Sequence, residues 1–323
     1  MSESITIESA AEKVSEIKNE VGKAFIGQVE LLDKVLLALI CEGHILVEGV
    51  PGLGKTLLVR SIAAALSLES TRIQFTPDLM PSDITGNIML DAQNGKFITK
   101  KGPAFTNILI ADELNRAPAK TQAALFEAMQ EYQVSLDGVS YPLPVPFMVL
   151  ATENPLEHEG TYPLPDAQKD RFLMKLLINY PPFEEEKLMA SMILNENSGS
   201  KLSVENVHPV SNAQDLCAIQ KLTSTIRIDE SIVNYAVRLT SATRTTQFLQ
   251  NGAGPRGTLA LLRCARANAL IQQRNFVIPD DIKTLAINVL PHRITLSAES
   301  ELEGKTETAI IQNIIETTEA PRE

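Results

Sequence analysis

The sequence contains no tryptophan and only three cysteines, and aromatic residues make up 5% of its 323 positions. Cys41, Cys217 and Cys264 are odd in number, far apart and free of CxxC spacing. That usage argues against a disulfide framework and fits buried thiols in a reducing compartment. Runs of about 18 uncharged apolar residues are also missing, so no membrane-spanning helix is expected. Met1 to Ile7 (MSESITI) lacks the basic n-region and apolar core of a signal peptide, and the chain is expected to stay in the cytoplasm. Positive charge is scarce, with 29 Lys+Arg against 40 Asp+Glu and a formal net charge of −11. Such a balance gives no global attraction to a phosphate backbone, which makes nucleic acid the less expected partner. The four histidines, His44, His158, His208 and His292, show no metal-ligand spacing, and no Gly-x-Ser-x-Gly elbow is present. His44, just before an apolar run, reads as a satisfied, semi-buried histidine.

What is present is a globular composition, 44% hydrophobic and 21% charged, at a length that suits two domains. Residues 8–22 and 28–42 read as helices; Ala11, Val14, Ile17 and Val21 fall on one face of the first. A short buried strand over 44–48 leads through a Gly-rich turn into a helix over 56–66. Further apolar strands fit 72–75, 108–111, 147–151 and 172–178, and a helix begins near Pro118. Strands alternating with helices imply an α/β fold with a parallel sheet covered on both faces. Residues 88–99 and 133–143 carry Asn-Gly and Asp-Gly pairs between short apolar runs and read as two protruding β-hairpins. Past Tyr180-Pro181-Pro182 the strand pattern stops. Helices are expected over 183–196, 211–224, 229–243, 255–273 and 279–290, with Ile310, Ile311, Ile314 and Ile315 on a last one. The division is therefore 1–182 for an α/β core and 183–323 for a helical lid. Asn197 to Ser200 reads as a flexible loop, and Met189, Met192 and Ile193 as lid core.

Gly49-Val50-Pro51-Gly52-Leu53-Gly54-Lys55-Thr56 fits G-x-x-x-x-G-K-[ST] between a strand and a helix. In that context the backbone N–H groups of the loop cradle phosphates, the helix N-terminus adds positive potential, Lys55 reaches the β/γ-phosphates and Thr56 ligates Mg²⁺. Ile108-Leu-Ile-Ala-Asp112-Glu113 ends an apolar strand in two carboxylates. Beside a bound Mg²⁺, Asp112 can hold the metal and Glu113 can polarise the water that attacks the γ-phosphate.

The order of these motifs resembles the AAA+ ATPases. Within them, the segments Gln74 to Gly86, Ala111 to Pro118, Ala151-Thr-Glu-Asn-Pro155 and Leu164 to Phe172 are similar to those of MoxR-family ATPases, over roughly residues 8–295. The resemblance implies an αβα core with a helical lid, the hairpins being a helix-2 insert and a pre-sensor hairpin. It implies that Asn154 is sensor 1 and orients the attacking water, that Arg171 is an arginine finger offered to a neighbouring subunit, and that Arg256 is sensor 2, reaching the phosphates from the lid. Phe25-Ile26-Gly27 resembles the adenine-pocket segment, placing Ile26 beside the base, although an apolar pair before a glycine is equally a packing feature. Arg116 is either a residue acting across a subunit boundary or a solvated helix-start arginine. The sequence departs from the family at Gly254-Pro255-Arg256-Gly257 and at Pro291, where Ser-Pro-Arg-Ala and an arginine are usual.

The resulting expectation is a Mg²⁺-dependent ATPase, hexameric by resemblance, that remodels or assembles protein partners, among them proteins with von Willebrand factor A-like domains. Two other functions remain open. One is a nucleic-acid motor using Lys96, Lys100 and Lys101; the other is a nucleotide-dependent scaffold with little turnover, against which Glu113 and Arg171 argue.

Overall fold

A computed structural model describes residues 5–49, 52–91, 95–154, 161–195 and 204–321. Val50 and Pro51 of the Gly-rich loop, Pro155, His158 and the 197–200 segment lie outside the described residues, as do the side chains of Met189, Met192 and Ile193.

The chain opens with α1 (Ile7–Val21) and α2 (Val29–Ile40), then β1 (Ile45–Glu48), α3 (Lys55–Ala65) and β2 (Ser70–Gln74). A short α4 (Pro81–Thr85) introduces the first hairpin, β3 (Gly86–Asp91) and β4 (Lys96–Lys101). β5 (Ile108–Asp112) and α5 (Ala119–Glu131) precede the second hairpin, β6 (Gln133–Leu136) and β7 (Val139–Pro142). The core closes with β8 (Met148–Glu153), α6 (Asp166–Lys169) and β9 (Met174–Leu177). Then follow α7 (Phe183–Asn195), α8 (Ala213–Ser224), α9 (Glu230–Thr245), β10 (Leu249–Asn251), α10 (Pro255–Ile271), α11 (Pro279–Val289), β11 (Thr295–Leu296), α12 (Ala298–Leu302) and α13 (Glu307–Thr317).

The five-stranded sheet is parallel in all its pairings, in the order β2-β5-β8-β1-β9. Its strands are short apolar runs, and alternation along each decides which layer a side chain joins. Ile45, Val47, Ile108, Ile110, Met148 and Leu150 enter the apolar cluster with α1, α2 and α3. Leu46, Leu109, Ala111, Val149 and Ala151 enter the other cluster, with Phe126 and Met129 of α5 and with Phe172. β1 lies between β8 and β9, so the chain leaves it in one direction toward β2 and returns on its other side as β9. Crevices at the carboxyl ends of strands around such a reversal are where open α/β sheets bind ligands.

Both hairpins are antiparallel as expected, and Thr99 of β4 meets Tyr141 of β7 with their hydroxyls 3.1 Å apart. The first hairpin leaves Met89, Leu90, Phe97 and Ile98 exposed.

Several details depart from the sequence reading. The strand expected at 172–178 starts only at Met174, because the carbonyls of Phe172 and Leu173 are taken by Arg293 of the helical half instead of a neighbouring strand. The helical half contains one small two-stranded pairing, β10 with β11. His44 is buried outright: its Nδ1 accepts the Val149 N–H at 3.0 Å and its Nε2 lies 2.9 Å from the Met129 carbonyl. Cys41 and Cys264, distant in sequence, adjoin in space, and burial together with the neighbouring Cys264 pushes the Cys41 thiol up.

The first apolar cluster does not stop at residue 182. It continues from α1 and α2 into Leu216, Ile219, Leu261, Ala265 and Leu285 of α8, α10 and α11. Polar contacts follow the same path: Lys13 pairs with Asp215 at 2.8 Å, and Gln220 Nε2 donates to the Leu39 carbonyl at 2.8 Å.

Candidate functional site

β1 delivers the chain at Gly49 to a tight crossing, where a Cβ would stand 2.6 Å from the Ile178 carbonyl oxygen. Gly54 then adopts φ +77, a left-handed conformation that side chains disfavour, and α3 begins at Lys55. The first N–H groups of a helix lack intrahelical partners, and here they open on a cleft of about 270 Å³. Gly49, Gly52, Leu53, Gly54, Lys55 and Thr56 all line it. Lys55 Nζ donates to the Gly49 carbonyl at 3.0 Å. Partial burial lowers the Lys55 pKa, while the charges of Asp112 and Glu113 act to raise it. A desolvated ammonium held by a neutral carbonyl is poised for an anionic ligand.

β5 brings Asp112 and Glu113 to the opposite wall. Glu113 sits at φ 55, left-handed although it is not a glycine. Thr152 of β8 fixes both acids, donating its hydroxyl to Asp112 Oδ1 at 2.8 Å and accepting the Glu113 N–H at 2.9 Å. Arg72 of β2 donates through Nε to Asp112 Oδ2 at 2.7 Å. Arg116 pairs with Glu113 at 2.8 Å on the acidic wall. Thr152 and Arg72 are the residues that motif reading missed. Thr152 lay inside the quoted Ala151-Thr-Glu-Asn segment, but its two partners come from another strand. Arg72 carried no signal beyond a charge in an apolar strand.

Asn154 is buried beside the acids and also borders a second polar cleft of about 270 Å³, shared with Glu48, Lys175 and His292. Burial raises the pKa of its neighbour Glu153; Lys169 and Lys175 oppose that shift and Glu48 adds to it. Phe25 touches the Gly-rich loop, its ring carbon 3.3 Å from where a Gly54 Cβ would stand. Ile26 is half-buried, and the next turn carries Gln28, whose N–H donates to Glu185 at 3.0 Å beside a cleft of about 400 Å³.

The two arginines lie elsewhere. Arg171 and Arg256 line a different cleft, of about 250 Å³, with Asp170, Leu259, Arg263 and Arg293. The Arg171 guanidinium stands 5.5 Å over the Phe126 ring. Arg256 Nη1 is 3.5 Å from Asp170 Oδ2, and its side chain is 55% exposed. Neither lines the cleft formed by the same chain's Lys55 and Glu113.

A Gly-rich loop and paired acids at a sheet reversal, followed by a helical lid, define a P-loop nucleotide-hydrolase fold of the AAA+ class. The pattern of the ATPase family associated with various cellular activities (AAA) matches residues 44–174, and that of the AAA lid domain matches 241–314. The chain belongs to the MoxR family of AAA+ ATPases. It is 38% identical over 313 residues to chaperone MoxR1 of Mycobacterium tuberculosis, covering 94% of this chain and 81% of that one. It is 44% identical over 301 residues to the YeaC protein of Bacillus subtilis, covering 93% and 92% of the two chains. A crystal structure assigned as an ATPase, from Cytophaga hutchinsonii, superposes with a TM-score of 0.91 at 40% identity, over 98% of this chain and 97% of that one.

Proposed function

We propose that the protein is a magnesium-dependent ATPase of the cytoplasm that works as a ring, hexameric in the family's manner, and uses turnover to remodel or assemble protein partners. The observation that carries this reading is the separation of the site into two halves. The loop, Lys55 and the acids occupy one cleft, while Arg171 and Arg256 stand outside it. A subunit of this shape supplies phosphate binding at one place and positive charge at another, which suits a composite site between neighbours.

The donor set suits a magnesium nucleotide. Thr56 and Asp112 offer hard oxygen ligands, and the metal, when bound, would neutralise phosphate charge. Lys55 and the N-terminus of α3 hold the phosphates. Glu113 accepts a hydrogen bond from the attacking water, and Asn154 orients it. Arg171 of an adjacent subunit counters the charge that grows on the γ-phosphoryl oxygens, with Arg256 beside it.

Partners of protein kind are favoured over nucleic acid by the first hairpin, where Met89, Leu90, Phe97 and Ile98 are exposed beside Lys96, Lys100 and Lys101 on a chain of net charge −11. Proteins with von Willebrand factor A-like domains are the client class the family suggests.

Complementation tests the composite site. Lys55→Ala should lose ATP binding, whereas Glu113→Gln and Arg171→Ala should keep it and lose turnover, by on the order of 10³ for the arginine. Mixing the last two variants should restore phosphate release, because one supplies an intact acid and the other an intact arginine. A mixture that stays dead although the subunits co-assemble defeats the ring mechanism.

A further inference from the structure

We propose that Arg293 is a positioning residue for Arg171. It fastens the segment that carries this arginine to the lid of its own subunit, so that lid and finger move as one body. The proposal rests on the reading of Arg171 as a finger that acts on a neighbour.

Arg171 lies between α6 and β9, in a stretch, residues 170–173, that belongs to neither helix nor strand. Backbone groups in such a stretch must find partners elsewhere. The N–H groups of Arg171, Phe172 and Leu173 bond within the core, to the carbonyls of Gln168, Lys169 and His44, whereas the carbonyls of Asp170, Phe172 and Leu173 find their partners on the lid. Arg293 follows α11 by four residues, and its side chain is 2% exposed. Its Nε donates to Asp170 Oδ1 at 3.0 Å. Nη1 donates to the Leu173 carbonyl at 3.2 Å, and Nη2 to the carbonyls of Phe172 at 2.5 Å and Asp170 at 3.4 Å. Nη1 also returns to the Val289 carbonyl at the end of α11. His292 joins the contact, its Nε2 standing 3.0 Å from the Phe172 oxygen. One guanidinium thus ties the last turn of α11 to the carbonyls of Asp170, Phe172 and Leu173, which flank the finger on both sides.

The finger itself has little else to direct it. Its guanidinium stacks over Phe126, and its Nε is buried without a hydrogen-bond partner. The direction of Arg171 is therefore set by the course of its backbone, and Arg293 holds that course from the lid side, as the Gln168, Lys169 and His44 carbonyls do from the core. Asp170 extends the arrangement by meeting Arg256 on its second oxygen, so both arginines of this face hang on one clamp. Burial brings the Arg293 pKa down to about 10, with Asp170 opposing, which leaves it charged at neutral pH. Lysine cannot reproduce the clamp, since its donors radiate from a single nitrogen. A change of lid angle in one subunit would then displace the arginines offered to the next.

The test places Arg293→Lys on one chain at a time in rings mixed from Glu113→Gln and Arg171→Ala subunits. Only junctions where a Glu113→Gln chain donates its finger to an Arg171→Ala chain are live. On the donating chain, Arg293→Lys should lower kcat about 10- to 100-fold with KM for ATP unchanged, as misplacement of a charge by an ångström does. On the accepting chain its effect should be at least about tenfold smaller. Equal losses on both chains, or no loss on either, overturn the proposal. If the parental mixture is itself inactive although native mass spectrometry shows mixed rings, the finger reading fails and takes the clamp with it. Should Arg293→Lys chains fail to assemble, Asp170→Asn, which keeps the shape and removes the charge, is put through the same placements. A symmetric loss there overturns the proposal equally.

Discussion

Thr152 gives the sharpest test of the acidic wall. Thr152→Val keeps the side-chain shape at a position 2% exposed and removes one hydroxyl. Two hydrogen bonds go with it, the 2.8 Å donation to Asp112 and the 2.9 Å acceptance from the Glu113 N–H. A bond to a charged group is worth roughly 1.5–3 kcal/mol and an orphaned buried N–H costs about 1–3 kcal/mol. Water entering from the cleft offsets part of this, so a loss of about 2–4 kcal/mol is expected, against a typical total of roughly 5–15 kcal/mol. The larger consequence concerns geometry. Glu113 is held at φ 55, a conformation that costs a non-glycine residue about 1–2 kcal/mol, and the Thr152 contact helps to offset it. Released, the Glu113 carboxylate moves off line, and kcat should fall about 10- to 100-fold. ATP affinity should hold, because Lys55 and α3 are untouched. Chemical denaturation measures the first effect and steady-state phosphate release the second. Thr152→Ser returns the hydroxyl without the methyl group and should restore most of the kcat. A Thr152→Val protein with wild-type kcat, or a Thr152→Ser protein as slow as Thr152→Val, would refute the reasoning.

The buried His44 makes stability depend on pH. It is neutral in the folded chain and burial lowers its pKa to about 4, whereas the unfolded chain takes up the proton near 6.5. Its contribution is therefore complete above about pH 6.5 and is lost as pH falls toward 4, by roughly 3 kcal/mol in all. Urea midpoints between pH 7 and 4.5 should fall less steeply in His44→Asn, whose amide oxygen can still accept the Val149 N–H; parallel slopes in the two proteins would count against this. Arg256 should behave as part of the Arg171 face. Its alanine variant should be complemented by Glu113→Gln and not by Arg171→Ala, and the opposite pattern would return Arg256 to the site of its own chain.

The legible parts of the sequence were the local ones. The strands β1, β5 and β8 open as runs of buried apolar residues, and the hairpins announce themselves through Asn-Gly and Asp-Gly. The Gly-rich loop and Asp112-Glu113 carry their chemistry in their spacing. What stayed hidden depends on distant partners. Phe172 and Leu173 look like strand residues because they are apolar, yet Phe172 packs against Phe126 of the core and the carbonyls of both are taken by Arg293 of the lid. β10 and β11 are too short to show a period, and they pair across an intervening pair of helices. The role of Thr152 appears only when β8 lies beside β5. The grouping of Arg171 with Arg256 and Arg293 needs the lid in place, since residues more than 80 positions apart must meet.

The apolar cluster that runs from α1 into the lid has a consequence for how the chain is made. Ala10, Val14, Ile17 and Val21 leave the ribosome well before the residues beyond 210 with which they share one cluster. Until those later helices are made that face is covered only in part, by α2 and α3, and its closure joins residues far apart in sequence, a slow kind of contact to form. Nascent or prematurely terminated chains would present a partly covered, sticky amphipathic α1, and the later-made α8, α10 and α11 are the helices that silence it. The α10 and α11 pair, strapped by the buried Asp281 and Arg274 at 2.6 Å, has local contacts enough to form first and receive α1 as a preformed surface.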